Sequence, residues 1–254
     1  MQCKMESSIG PGWIVPDWPV PSWIKAGSTT RTGGVSLPPY NSLNLGDHVG
    51  DELELVKHNR SLLKETRKLP AEPVWLQQVH GIEVVDATFA KGVPIADASY
   101  TSKQEVVCVV MTADCLPVLL ADEEGRHIAA IHAGWRGLAD GVIEATVKQM
   151  GSSASKLMAW LGPAIGPKAF EVGGEVREIF LSQDSVAKSA FIPSSNDRWL
   201  ADLYTLAHQR LRALGLEKVY GGHWCTFSEK ERFYSYRRDG VTGRMATFIW
   251  IEQS

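Results

Sequence analysis

Residues 105–133 read EVVCVVMTADCLPVLLADEEGRHIAAIHA, and this stretch decides the fold. Its first part, EVVCVVMT, is apolar and β-branched, the composition of a buried strand. Two further strand signals, at 116–121 and 127–133, lie on either side of a polar, glycine-containing turn in ADEEGR and predict a hairpin. If the hairpin loop holds two or four residues, paired positions have an odd sum, as 115 and 132 do. Cys115 and His132 then stand opposite or diagonal on one face of the ladder, diagonal backbones being about 7–8 Å apart. A three-residue loop or a bulge would separate them.

Outward from the hairpin, strand signals recur at 73–79, 82–87, 156–161, 217–224, 231–237 and 245–252. Asp51 is placed to cap a helix from about Glu52 to Lys68, with Leu53, Val56, Leu63 and Leu69 as its apolar positions. After His132, WRGLADGVIEATVKQM keeps roughly one face apolar and reads as helix; 174–182 and 202–214 read likewise. Residues 26–50 are loop-like after a short possible strand at their start, and a loop of that length is more often functional than idle. Pro- and Trp-rich residues up to 23 predict an irregular N-terminal arm. Strands and helices alternate irregularly and hairpins dominate the middle. This predicts an α+β fold: a single layered domain over 1–254, with a mixed, largely antiparallel β-sheet and helices packed outside.

Composition narrows the function. The chain has 254 residues, enough for a core that needs no staples. Its net charge is -3 and neither half is strongly basic, so a nucleic-acid partner is not expected. Cys3, Cys108, Cys115 and Cys225 are too widely spaced for a disulfide framework and suit a reducing compartment. The first residues, MQCKMESSIGPGWIVPDW, lack the apolar core of a secretory signal, and no apolar run approaches membrane-spanning length. The expectation is a cytoplasmic protein without a membrane partner.

Histidine and cysteine carry the chemistry. His80, in WLQQVHG, stands where an apolar strand stops before a glycine, a typical place for a site residue on a rigid scaffold. With Cys115 and His132 it makes a Cys-His-His set. Thiolate and imidazole suit zinc, and three protein ligands leave a fourth position open, the arrangement of a catalytic ion. Such an ion polarises an oxygen or activates water. Each ligand also has a plain structural use, since a strand cysteine is usually a small buried hydrophobe. Arg31 in STTRTGG, Arg136 in HAGWRG, and Arg237, Arg238 and Arg244 in YSYRRDGVTGR together suggest an anionic group on the substrate, although any one alone reads as a solvated charge. Phe233, Tyr234 and Tyr236 could stack on a base or pack in the core. The G-x-S-x-G, P-loop and H-E-x-x-H signatures are absent, as is the H-x-E with P-C-x-x-C set of nucleoside deaminases.

The segments TTRTGG, SLNLG, WLQQVHG, TADCLPVLLAD, AAIHAGWRGL, LGPAIGP, FEVG and YSYRRDGVTGRMA occur in one order. From about residue 24 to the end the chain resembles the YfiH family, also labelled laccase-domain or polyphenol oxidase proteins. The resemblance implies Zn2+ at His80, Cys115 and His132, the same three residues being catalytic. It implies a fold similar to cytotoxic-necrotizing-factor-like cysteine hydrolases. It also implies phosphorolysis of adenosine, inosine and methylthioadenosine with adenosine deamination, so that the partners are a purine nucleoside and phosphate. Candidate substrate- or phosphate-binding residues are Arg31, Asn44 of SLNLG, Gln77 of WLQQVHG, Arg136, Arg237 and Arg238. Some members are instead described as peptidoglycan editing factors. An amide hydrolase using zinc water, or Cys115 as nucleophile with His132 as base, is therefore a second reading. A non-catalytic metal-binding or metabolite-sensing module is a third. The oxidase label fits poorly: of the seven histidines only two fall in site motifs, and the rest are scattered without H-x-H spacing. Copper would bind such a site in vitro by the usual affinity order without being the native metal.

Overall fold

The side chains of a strand alternate between its two faces, so the central hairpin faces two layers at once. The structure, a computed structural model, describes residues 12–253. In chain order the strands are β1 (Trp13–Ile14), β2 (Ile24–Thr29), β3 (Val84–Asp86), β4 (Ala98–Thr101), β5 (Cys108–Thr112), β6 (Leu116–Asp122), β7 (Ile128–Ala133), β8 (Leu157–Leu161), β9 (Glu171–Val172), β10 (Phe191–Pro193), β11 (Trp199–Ala201), β12 (Lys218–Gly221) and β13 (Met245–Ile251). The helices are α1 (Leu53–Arg67), α2 (Trp135–Asp140), α3 (Val142–Met150), α4 (Gly174–Gln183), α5 (Leu203–Ala213) and α6 (Tyr236–Asp239). One sheet has the order β12-β8-β6-β7-β4-β3, another β1-β2-β13-β5, and a small one β10-β11-β9. Only the outer pairs of the six-stranded sheet, β12 with β8 and β3 with β4, are parallel.

Leu116, Val118 and Leu120 of β6 and Ala129, Ile131 and Ala133 of β7 pack under helices α2–α5. Their alternates Leu119, Ala121, Ile128 and Ala130 face the four-stranded sheet, against Cys108, Val110 and Ile249. The far side of that sheet, with Val109, Met111, Phe248 and Trp250, is covered by Leu63 of α1. The layers run helix, sheet, sheet, helix, which is the α+β class expected. Burying one side chain such as Leu119 contributes about 1.5–3 kcal/mol.

The hairpin pairs Leu116 with Ala133 through Ala121 with Ile128, and Asp122 N–H reaches His127 O at 3.0 Å. Residues 123–126 therefore form a four-residue loop, with Gly125 at φ 64°. Cys115 and His132 fall on the inter-sheet face in the diagonal relation.

Several local expectations are corrected. Residues 73–79 make only single bridges, Val74 to Cys108 and Gln77 to Ile95. Pro73 lacks an N–H, and the Gln78 amide, not a backbone ladder, satisfies Met111 N and O at 2.8 Å each. Residues 231–237 form turns leading into α6, because consecutive Phe233 and Tyr234 are both buried and the strand alternation is lost. The helix after His132 breaks at Gly141, whose φ of 99° cannot continue it. Asp51 does not cap α1: Glu52 takes the cap position, and Asp51 holds Ser36 and Asn44 instead. The small sheet and β4 carried no clear alternation and were not expected. Of the predicted arm, residues 1–11 lie outside the described residues, and Trp13–Ile14 pair with Ser28–Thr29 rather than staying irregular. Cys108, Cys115 and Cys225 are free thiols. Among the described residues no helix is long and apolar enough to cross a membrane.

Candidate metal centre

β6 starts, and β7 and β5 end, at one end of the sandwich. The register there sets Pro117 beside His132 and Met245 beside Thr112. Arg244 consequently lies across from the turn that carries Asp114 and Cys115. β4 begins at the same end, paired to Ile131 through Ala98, and brings Asp97 beside His132.

One ligand atom each from His80, Cys115 and His132 lies within 4.8 Å of the other two. His80 Nε2 stands 3.8 Å from Cys115 Sγ, and the two imidazoles meet edge to face at 4.8 Å between centroids. His132 is buried, Cys115 half-buried and His80 exposed, so the cluster opens to solvent on one side. Two imidazoles and a thiol at this spacing fit a single ion with an open position. Among the described residues this is the one group of His, Cys, Asp and Glu so arranged.

Two buried carboxylates brace the cluster. Asp97, fully buried, accepts from His132 Nδ1 at 2.8 Å and His80 N at 2.9 Å on Oδ1. Its Oδ2 accepts from Val79 N at 3.2 Å and Gly81 N at 2.7 Å. Asp114, at φ 93°, accepts from Thr226 Oγ1 at 2.6 Å and Arg237 N at 2.7 Å, pinning the C-terminal segment to the turn before Cys115. Gly134 supplies space rather than flexibility: its φ and ψ of -63° and 157° suit any residue. A Cβ there would lie 2.8 Å from His80 Cδ2 and 3.2 Å from Cys115 Sγ.

Electrostatics favour the thiolate of Cys115 paired with a charged His132 imidazole, so an ion held by His132 would have to displace its proton. Burial alone would push the Cys115 thiol up, but the charge of His132 and hydrogen bonds to His132 and His80 outweigh it and bring the thiol down. Burial would lower His132, yet the Cys115 thiolate and Asp97 hold it above its ordinary value. Burial likewise raises Asp97, and the His132 and Gly81 hydrogen bonds more than offset this, leaving its carboxyl depressed. The stability that a depressed carboxyl contributes is full above the ordinary aspartate value of about 3.9 and is lost as pH falls below it through the folded value. The urea midpoint of wild type should exceed that of Asp97→Asn at pH 6, and the gap should narrow toward pH 3. A constant gap would contradict the assignment.

The other nominated residues are distributed around this end. Arg31 gives Nε and Nη2 to Asn41 O at 3.1 and 3.0 Å and Nη1 to Lys230 O at 3.1 Å. With Lys230 and Arg238 it lines a depression of about 330 Å³. Arg238 gives Nη1 to Thr226 O and Phe227 O and Nη2 to Phe233 O, tying turns together. Arg237 gives Nη1 to Glu171 O at 2.7 Å. Asn44 is fully buried, its amide committed to Gly46, Asp51 and Arg244 N. Gln77 is exposed beside the ligand segment, and Arg136 is exposed over the Trp135 ring. Phe233 and Tyr234 belong to the core, whereas Tyr236 is exposed. Sequence reading missed Asp97, Asp114 and Gly134. The signal for Asp97 is an acid between two alanines at the start of an uncharged strand.

An open His-Cys-His cluster at one end of an α/β/β/α sandwich defines the class. A family model described as multi-copper polyphenol oxidoreductase laccase matches residues 25–252, and the chain belongs to this laccase-like family. Within it, the protein of Escherichia coli (strain K12) named Purine nucleoside phosphorylase YfiH is 55% identical over 242 residues, covering 94% of this chain and 98% of that one. A Haemophilus influenzae protein named Purine nucleoside phosphorylase is 54% identical over 247 residues, 96% and 99% of the two chains. The crystal structure of a Neisseria meningitidis protein of the DUF152 family model superposes with a TM-score of 0.92 at 48% identity, covering 95% of this chain and 100% of that chain. The resemblance to YfiH proteins seen in the motifs is thereby borne out.

Proposed function

We propose that the chain is a zinc-dependent purine nucleoside enzyme that cleaves adenosine, inosine and methylthioadenosine with phosphate and also deaminates adenosine. The open His80–Cys115–His132 cluster carries this reading, and relatives named purine nucleoside phosphorylase support the substrate class. Zinc is preferred over copper because the donors make one site. The other five histidines stand apart, His127 paired with Asp122 and His223 stacked on Trp224 among them. Bound there, zinc would supply Lewis-acid polarisation of a substrate oxygen or lower the pKa of water. The chain's own residues orient the imidazoles, keep the thiol ionised and leave one side open for the nucleoside.

In phosphorolysis a phosphate oxygen takes the ribose C1′ as its bond to the base nitrogen breaks, so an anion site must lie near the sugar. Arg31, in the depression it shares with Lys230, Arg238, Glu231 and Asp239, is the proposed phosphate residue, with Arg238 beside it but paired with Asp239; Gln77, Arg136, Arg237 and Asn44 frame the sugar and base or brace the loops that do. Arg31→Ala should raise the KM for phosphate by about tenfold or more, the scale of one lost charge-assisted contact, while adenosine deamination changes less. Equal losses in both activities would mean that Arg31 serves the fold through Asn41 and Lys230. Incubating adenosine with and without phosphate tests the function itself. Adenine formed only with phosphate, and inosine formed without it, are expected; unchanged adenosine in both would sink the reading.

A second reading has its own observation. Cys115, His132 and Asp97 stand in a thiol–imidazole–carboxylate order, with His132 bonded to Asp97 at 2.8 Å. An amide hydrolase with a cysteine nucleophile requires such a series, the imidazole lying within 4.8 Å of the sulfur, and metal removal separates the two.

A further inference from the structure

We propose that Asp97 positions both histidine ligands at once, fixing the ring of His132 through Nδ1 and the backbone of His80 through a nest of N–H groups. The inference rests on the metal reading of the site. Consecutive N–H groups of Val79, His80 and Gly81 all converge on one carboxylate, at 3.2, 2.9 and 2.7 Å. His80 sits at φ 62°, a left-handed conformation that a side-chain-bearing residue adopts only at an energetic cost. Hydrogen bonds to a charged acceptor are stronger than those to a neutral one, and three of them hold that conformation. The same Oδ1 receives His132 Nδ1 at 2.8 Å, and His132 N donates to Asp97 O at 2.7 Å. With Nδ1 committed, Nε2 is the nitrogen left for an ion, and the carboxylate selects that tautomer because it can only accept.

An amide cannot do the same work. Asparagine at 97 has one accepting and one donating end, whereas all four partners of the Asp97 side chain are donors. Its NH2 must either take the Oδ2 place, facing Val79 N and Gly81 N and breaking the nest, or take the Oδ1 place, losing the His80 N–H and forcing the His132 proton to Nε2. Each outcome removes one histidine from the ligand set without emptying the core.

Zinc competition titration of Asp97→Asn against wild type, joined to 15N-histidine NMR, tests this. The expected results are a zinc Kd raised about 10–100-fold, the range for losing an outer partner of a metal ligand, and zinc-loaded wild type with the His132 proton on Nδ1. The wild-type spectrum stands even if the variant does not fold. A purely structural carboxylate would lower the unfolding midpoint of Asp97→Asn and leave zinc affinity and His132 protonation unchanged. That result, or a His132 proton on Nε2 in the zinc-loaded wild type, overturns the proposal and spares the metal reading. Wild type that takes up no zinc overturns both.

Discussion

Cys115→Ala is expected to yield a folded protein that holds no zinc and turns over no nucleoside. Cys115 stands just before β6, at the rim of the inter-sheet core rather than within it. The layers behind it, from Leu119 to Trp160, are intact without the sulfur, and a chain of this length does not depend on one ligand to fold. The loss at the site is larger. The thiolate is the only anionic donor among the three, and deprotonated ligands carry the affinity. Its removal should cost more than the roughly 10–100-fold of an outer-partner mutation. Circular dichroism, zinc content and inosine phosphorolysis on one preparation check this. If Cys115 is instead a covalent nucleophile, the variant is dead yet keeps its zinc. Wild type stripped of metal would then stay active until its thiol is alkylated.

Gly134→Val should abolish zinc binding from a residue that donates nothing. The backbone there is ordinary, so the glycine answers to space alone. Its missing Cβ would stand 2.8 Å from the His80 ring and 3.2 Å from Cys115 Sγ, and a branched side chain would add atoms toward the ligands. Alanine should displace His80 and weaken zinc by at least tenfold; valine should leave no measurable site. Overpacking costs typically about 1–3 kcal/mol, so both variants should melt below wild type while remaining folded. Zinc titration with a competing chelator reads the effect. Tight zinc binding by the valine variant would mean that the three side chains do not converge on one ion.

The clustering of His80, Cys115 and His132 was legible because it rests on a periodicity of two. Once 116–121 and 127–133 pair across a four-residue loop, Cys115 and His132 must share a face, and His80 follows from a motif. Asp97 was not legible, since its partners are backbone N–H groups of a segment that reads as strand but forms the nest. Gly134 looks like any helix-flanking glycine until the neighbouring side chains are placed. The arginines were the hardest to read. Sequence shows five guanidinium groups near motifs, but not that carbonyls of Thr226, Phe227 and Phe233 occupy Arg238 or that Asn41 and Lys230 occupy Arg31. The segment 231–237 failed as a strand for a related reason: Phe233 and Tyr234 are buried side by side, which no half-exposed strand allows.

The most direct measurement of the central claim is zinc content and phosphate-dependent hypoxanthine release from inosine, followed on one sample as purified, after zinc removal and after zinc is restored. The account predicts about one zinc per chain, with hypoxanthine formed only when zinc and phosphate are both present. Several coppers per chain with little zinc, or hypoxanthine release indifferent to zinc, would contradict it.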